Sequence, residues 1–122
     1  MGKDSVLLNK SKDFAIYIIE IYKHLVNDKK EFVLSKQLLR SGTAIGANLA
    51  EAVYGISKKD FLSKIYISLK ECAETKYWIE LLFKTDYISE SEFNTLDSYC
   101  TELLKMLIST SKTTYSHINN LN

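Results

Sequence analysis

The side chains best suited to catalysis or metal binding are two cysteines and two histidines, Cys72, Cys100, His24 and His117. A zinc site needs such ligands in closely spaced pairs, which these four do not form. A di-iron helical bundle needs Glu-x-x-His motifs, and neither histidine follows a glutamate at that spacing. No histidine adjoins either cysteine to activate it, and no glycine-rich phosphate loop is present. The sequence predicts no catalytic residue, no cofactor and no metal.

Arg40 invites comparison with a class of RNA-cutting enzymes. Small helical domains of the HEPN type carry an arginine followed a few residues later by a histidine. Arg40 has no histidine after it until His117. This chain therefore lacks the catalytic histidine of that class, and we expect a protein that is not an enzyme.

A stripe of small residues runs along the segment that contains Arg40. Gly42, Gly46 and Ala50 recur at every fourth position, so on a helix they share one side. Each glycine inside a helix costs about 1 kcal/mol relative to alanine. This cost indicates that another backbone approaches the stripe closely.

A second, polar line follows the same predicted helix and consists of Gln37, Arg40, Asn48 and Glu51. Glu71 and Glu74 on the next helix are placed to meet it across a helix pair. The favoured interpretation is a structural arginine–carboxylate pair that fixes helix register or oligomer geometry. A catalytic or ligand-binding site is the alternative.

The chain should form one domain, residues 1–122, of the all-α class. It has no proline and few internal glycines, which favours long helices. Apolar periodicity predicts four helices, over about 11–27, 35–54, 58–84 and 90–116. Their short connections predict an antiparallel up-down-up-down four-helix bundle.

Several residues have the types that begin or end helices. Ser35 is a candidate cap for the second helix, and Gly55 suits a left-handed residue after its end, with Ile56 folding back on the helix. The third and fourth helices begin with capping-box patterns, Ser57-x-x-Asp60 and Ser89-x-x-Glu92. An apolar pair flanks each box: Ile56 with Phe61, and Ile88 with Phe93.

The bundle topology makes two further predictions. Cys72 and Cys100 lie at similar distances from the turn between the third and fourth helices, so they should be neighbours in the core as reduced thiols. The first helix is apolar over an arc of about 200°, against the ~100° that a one-sided helix needs. This width favours a second buried surface against another chain.

Charge separates the two ends of the predicted bundle although the net charge is only +1. One end gathers the lysines that are our candidate nucleic-acid contacts: Lys3, Lys10, Lys12, Lys58, Lys59, Lys64 and Lys112. Repeated around an oligomer, they could hold a phosphate backbone, and the alternative is that they are ordinary solvated lysines. No segment resembles a membrane span or a signal peptide, so we expect a cytoplasmic protein with no membrane partner.

Two blocks of sequence resemble the four-helix-bundle proteins encoded in 23S ribosomal RNA intervening sequences. The first block reads Gln37-Leu-x-Arg40-Ser-x-Thr43-x-Ile45-Gly-Ala-Asn48-x-Ala50-Glu51-Ala52. The second reads Asp60-Phe61-x-x-Lys64-x-x-Ile67-x-Leu69-Lys70-Glu71-x-x-Glu74-Thr75-x-Tyr77-Trp78. The chain departs from the pattern at Gly46, where many members carry proline.

The resemblance implies a left-handed four-helix bundle that assembles as a homopentamer. The family also resembles the accessory variability determinant of diversity-generating retroelements, a basic pentamer that binds nucleic acid and works with a reverse transcriptase. We therefore expect a homo-oligomer associated with RNA or another nucleic acid. A protein-interaction scaffold without a nucleic-acid partner is the alternative, and it requires exposed apolar surface such as parts of Tyr17, Tyr22 or Tyr66.

Overall fold

The computed structural model describes the backbone of residues 3–120 and the side chains of residues 6–119. This part of the chain contains four helices and no strand, which confirms the all-α class. The helices are α1 (Lys3–Asn27), α2 (Leu34–Ala52), α3 (Lys58–Lys84) and α4 (Glu90–Asn120).

The first helix begins eight residues before the predicted start at residue 11. Leu7 is 1% exposed and Ser11 is fully buried, so both continue the face that Phe14, Ile18 and Leu25 present to the core. Burial of Leu7 thus extends α1 by two turns. The predicted start was wrong because the polar residue Ser11 interrupts the apolar periodicity from which the helix was predicted.

The start of α2 differs from the prediction because Glu31, not Ser35, caps it. The Glu31 carboxylate accepts backbone N–H bonds from Val33 at 3.2 Å, Leu34 at 3.0 Å and Ser35 at 2.6 Å. The Ser35 hydroxyl lies inside the helix and donates to the Glu31 carbonyl oxygen at 2.8 Å. Glu31, which precedes the helix, therefore binds the free backbone N–H groups of the first turn, the role predicted for Ser35.

The end of α2 also differs. The helix stops at Ala52, and the next residue, Val53, keeps right-handed backbone angles. Gly55 is not left-handed, and Ile56 is 95% exposed, so it neither folds back on α2 nor pairs with Phe61. The glycine is needed for space, since a Cβ there would lie 3.1 Å from the Ala52 carbonyl oxygen.

The capping-box prediction is confirmed in full for α4, and for α3 one of the two bonds of the box is present. The Ser57 hydroxyl accepts the Asp60 N–H at 3.1 Å. Ser89 and Glu92 form the complete reciprocal box: the Ser89 N–H donates to Glu92 Oε1 at 2.8 Å, and the Glu92 N–H donates to Ser89 Oγ at 3.1 Å. These bonds define the first turns of α3 and α4.

The core is built from one face of each helix. In the chain's cyclic order α1–α2–α3–α4, each helix contacts the next, and α4 also contacts α1. Along α2, Ser41, Ile45 and Glu51 contact residues of falling number on α3: Thr75, Ser68 and Lys64. This packing sets the polar line of α2 against α3.

Candidate functional site

The polar line of α2 meets α3 chiefly through Arg40. Its guanidinium donates to Glu71 Oε2 at 3.1 Å and to Glu74 Oε2 at 2.6 Å. The two bonds raise the pKa of Arg40, so this group carries a fixed positive charge. Half of the Arg40 side chain is exposed, compared with 19% of Glu71. The expected arginine–carboxylate contact is therefore present at the α2–α3 surface.

Trp78 adds a fourth member to this cluster. Its indole N–H donates to Glu74 Oε2 at 2.9 Å, the same oxygen that accepts Arg40. These bonds, from Trp78 first and then Arg40, lower the pKa of Glu74 and keep it ionised. Glu71 Oε1 is buried and has no hydrogen-bond partner among the described side chains. Glu71 Oε2 and Glu74 Oε2 both accept the Arg40 guanidinium, so the two carboxylates together hold one arginine.

A layer of buried hydroxyl groups lies beneath the cluster of Arg40, Glu71 and Glu74, and the sequence analysis did not predict it. Thr75 Oγ1 lies 2.9 Å from Ser41 Oγ, and Ser68 Oγ donates to the Ile45 carbonyl oxygen at 2.9 Å. Ser41, Ser68 and Thr75 are all fully buried. Ser68 and Thr75 lie seven residues apart on either side of Cys72, which places them on the core-facing side of α3. This spacing could have predicted the buried hydroxyl groups.

The other three residues of the polar line have different surroundings. Glu51 accepts a bond from Lys64 Nζ at 2.7 Å, so it too reaches α3. The Asn48 amide donates to the Ala44 carbonyl oxygen of its own helix at 2.9 Å. Gln37 is exposed. Of the four polar-line residues, only Arg40 and Glu51 therefore bond to described side chains of α3.

The glycine stripe faces a different helix, α1. A Cβ at Gly42 would lie 2.9 Å from Ile18 Cγ1, and one at Gly46 would lie 3.0 Å from Ser11 Oγ. Ala50, the third member, is half-buried. The close approach expected at the stripe is thus the contact between α1 and α2.

The candidate lysines are spread more widely than expected. Because α1 starts at residue 3, Lys10 and Lys12 lie seven and nine residues inside it, about 10–14 Å from its first residue. Lys10 Nζ binds Glu102 at 3.0 Å, and Lys64 binds Glu51. The other four with described side chains, Lys12, Lys58, Lys59 and Lys112, are exposed and make no ion pair. The side chain of Lys3 lies outside the described residues.

A model of the 23S rRNA-intervening sequence protein family matches residues 3–109. The chain belongs to this family. It is also similar to a solved protein of unknown function from the S23 ribosomal protein family of Bacteroides thetaiotaomicron VPI-5482. The two share 51% identity over 90% of this chain and 98% of the other, with a TM-score of 0.89. The chain has no significant match among curated proteins.

In this intervening-sequence family member the two cysteines are neighbours, as the bundle predicted. Cys72 Sγ and Cys100 Sγ lie 3.5 Å apart, and each lies 3.4 Å from the other residue's carbonyl oxygen. Both are free and fully buried. The hydrogen bond from Cys72, together with burial, raises the pKa of Cys100 far above its ordinary value. The pair is a packed dithiol in which the Cys100 thiol stays protonated.

The described residues 3–120 hold no group of three or more histidine, cysteine or acidic side chains placed to bind a metal ion. The same range holds no helix with the length and apolar character to cross a membrane.

Proposed function

We propose that this protein is a non-enzymatic, homo-oligomeric accessory protein that associates with RNA or another nucleic acid. The observation that carries the proposal is that four of the candidate lysines are exposed and form no ion pair with a described side chain: Lys12, Lys58, Lys59 and Lys112. The family's name links it to 23S ribosomal RNA, which favours RNA as the partner. With a net charge of only +1, one subunit should bind weakly and with little sequence preference.

The proposed subunit is an antiparallel up-down-up-down, left-handed bundle, and the proposed assembly is a homopentamer. The falling order of α3 partners along α2 supports the antiparallel arrangement. Ile16 is 57% exposed and Ile19 is 38% exposed on α1, beyond the residues that the bundle covers. This apolar strip supports burial against a second copy of the chain. A ring would repeat the lysines, as in the accessory variability determinant, to which we infer a relation.

Measuring mass and RNA binding together tests the proposal. Light scattering should give about five times the subunit mass of 14.0 kDa. Fragments of 23S ribosomal RNA should shift in a gel at low salt, and the shift should weaken steeply as salt rises. Lys58→Gln with Lys59→Gln should weaken binding, whereas Lys29→Gln with Lys30→Gln, in the other charged turn, should not. A protein that binds no RNA at low salt would refute the nucleic-acid role.

A protein-interaction scaffold is the second candidate, and one feature favours it. The turn between α2 and α3 exposes Val53 by 55%, Tyr54 by 85% and Ile56 by 95%. Three large apolar side chains so close together at a surface turn are typical of a contact with another protein. An oligomer of the expected mass that binds no RNA would favour this role.

A further inference from the structure

Lysines and tyrosines alternate along the outer side of α3. Lys59, Tyr66 and Lys70 are separated by seven and four residues, so they share one side of the helix. Tyr66 is 43% exposed, and both lysines are exposed. A helix that only completes a bundle has no need to expose a large aromatic ring between two cations.

The neighbouring side of α4 repeats this composition. Lys105, Lys112 and Tyr115 are separated by seven and three residues, and Tyr115 is 56% exposed. Tyr66, Tyr115 and Lys59 together line a groove of about 410 Å³ between the two helices. The groove joins Lys59, Tyr66 and Tyr115, and helix periodicity places the remaining lysines along the same two stripes. We call the two stripes together the lysine–tyrosine face: Lys59, Tyr66, Lys70, Lys105, Lys112 and Tyr115.

The face carries four lysines, and four of the carboxylates on α3 and α4 are bound by other residues. On α3, Glu71 and Glu74 accept Arg40 on the side towards α2. On α4, Asp97 binds Lys76 at 2.8 Å, and Glu102 binds Lys10 of α1. Among the described side chains, none of the face's four lysines forms an ion pair. They remain available to an anionic partner.

We propose that the lysine–tyrosine face binds single-stranded RNA, with phosphates at the lysines and unpaired bases stacked on Tyr66 and Tyr115. This inference rests on the proposed nucleic-acid role and adds the strandedness of the partner and the path it takes. Exposed rings beside cations favour this ligand, because bases of a single strand can stack on aromatic side chains. A duplex keeps its bases stacked internally and can use only the lysines.

Fluorescence anisotropy tests the stacking step on the full chain in its own oligomeric state. The probes are a short single-stranded RNA and a duplex of the same length. Tyr66→Leu with Tyr115→Leu should weaken single-strand binding at least tenfold, since each stacked base contributes roughly 5- to 150-fold. Duplex affinity should change less than twofold. Tyr66→Phe with Tyr115→Phe retains both rings and should bind the single strand like the parent.

Two variant sets then test the charge and the fold. Replacing Lys59, Lys70, Lys105 and Lys112 by glutamine should weaken the salt dependence of single-strand binding. The slope of log K against log salt concentration should become shallower by about 0.7 for each lost phosphate contact. Tyr54→Leu, an exposed ring outside the face, should have no effect. Circular dichroism and light scattering should match the parent in every variant.

Three outcomes overturn the inference. If the leucine variant binds the single strand like the parent, or loses single-strand and duplex affinity equally, the tyrosines do not stack on bases. If the leucine variant falls to a smaller mass, the face belongs to the subunit contact instead. If the parent protein binds neither RNA at low salt, the proposed function itself fails, which is a separate result from insensitivity to the tyrosines.

Discussion

Gly42→Ala should destabilise this protein, although alanine is the better helix former. The added Cβ would lie 2.9, 3.0 and 3.1 Å from Ile18 Cγ1, Cγ2 and Cδ1. Ile18 is fully buried, and its branched side chain has essentially one rotamer in a helix. The clash can therefore be relieved only by moving α1 away from α2.

The size of the effect follows from two opposing contributions. Alanine gains about 1 kcal/mol of helix propensity over glycine. Overpacking a core costs about 1–3 kcal/mol, and three contacts shorter than the usual ~3.5 Å point to the upper part of that range. We expect a net loss of about 1–2 kcal/mol, or a melting temperature lower by about 4–8 °C.

Urea unfolding at one fixed protein concentration measures this loss. Gly46→Ala is the matched control, because its Cβ would make one tight contact, 3.0 Å to the Ser11 hydroxyl. We expect it to change stability by no more than about 0.5 kcal/mol. In an Ile18→Ala background, which itself costs about 2–5 kcal/mol, Gly42→Ala should become stabilising. A Gly42→Ala protein as stable as the parent would refute the reasoning.

Three further predictions concern charge and thiols. Glu31→Gln should cost about 1–2 kcal/mol at pH 7 in urea unfolding. Burial opposes ionisation of Glu31, but three backbone N–H bonds outweigh it and lower the pKa of its carboxyl group. The stabilisation is therefore present above the ordinary pKa of 4.5 and is lost as the pH falls through the folded-state pKa. A parent protein whose stability does not fall in acid would contradict the cap. Arg40→Leu should cost about 1–2 kcal/mol by leaving Glu71 half-buried and unpaired, and unchanged stability would contradict a structural role. Cys72 and Cys100 should react with a thiol reagent only in denaturant, and rapid labelling of the native protein would contradict their burial.

The sequence predicted best those features that depend on neighbouring residues or on simple topology. The Ser89–Glu92 box depends only on two side chains three positions apart, and both of its bonds are present. The contact between Cys72 and Cys100 followed from counting residues on either side of one turn. The contact of Arg40 with Glu71 and Glu74 was also predicted, because consecutive helices with a short connection should lie side by side.

The features that were missed depend on burial of polar groups. Ser11 is fully buried, and its hydroxyl donates to the Leu8 carbonyl oxygen, so a serine occupies a core position without an unmet donor. Glu31 is buried only because it caps a helix. Thr75 likewise donates to a carbonyl oxygen of its own helix, that of Glu71. A polar side chain whose hydroxyl bonds to a carbonyl oxygen of its own helix can occupy a core position. Such positions cannot be predicted from the spacing of apolar residues alone.

The two edges of α2 contact different helices, α1 and α3. One edge is nearly without side chains, and α1 lies against it at Gly42. The other edge is tied to α3 by Arg40 above and by the buried Ser41–Thr75 contact below. Rotating α2 by one residue, about 100°, would carry Arg40 off its carboxylates and bring side chains against Ile18. The orientation of three helices is thus fixed by contacts on the α1–α2–α3 side. Lys59, Tyr66 and the other members of the lysine–tyrosine face take no part in those contacts, so replacing them should alter binding without altering the fold.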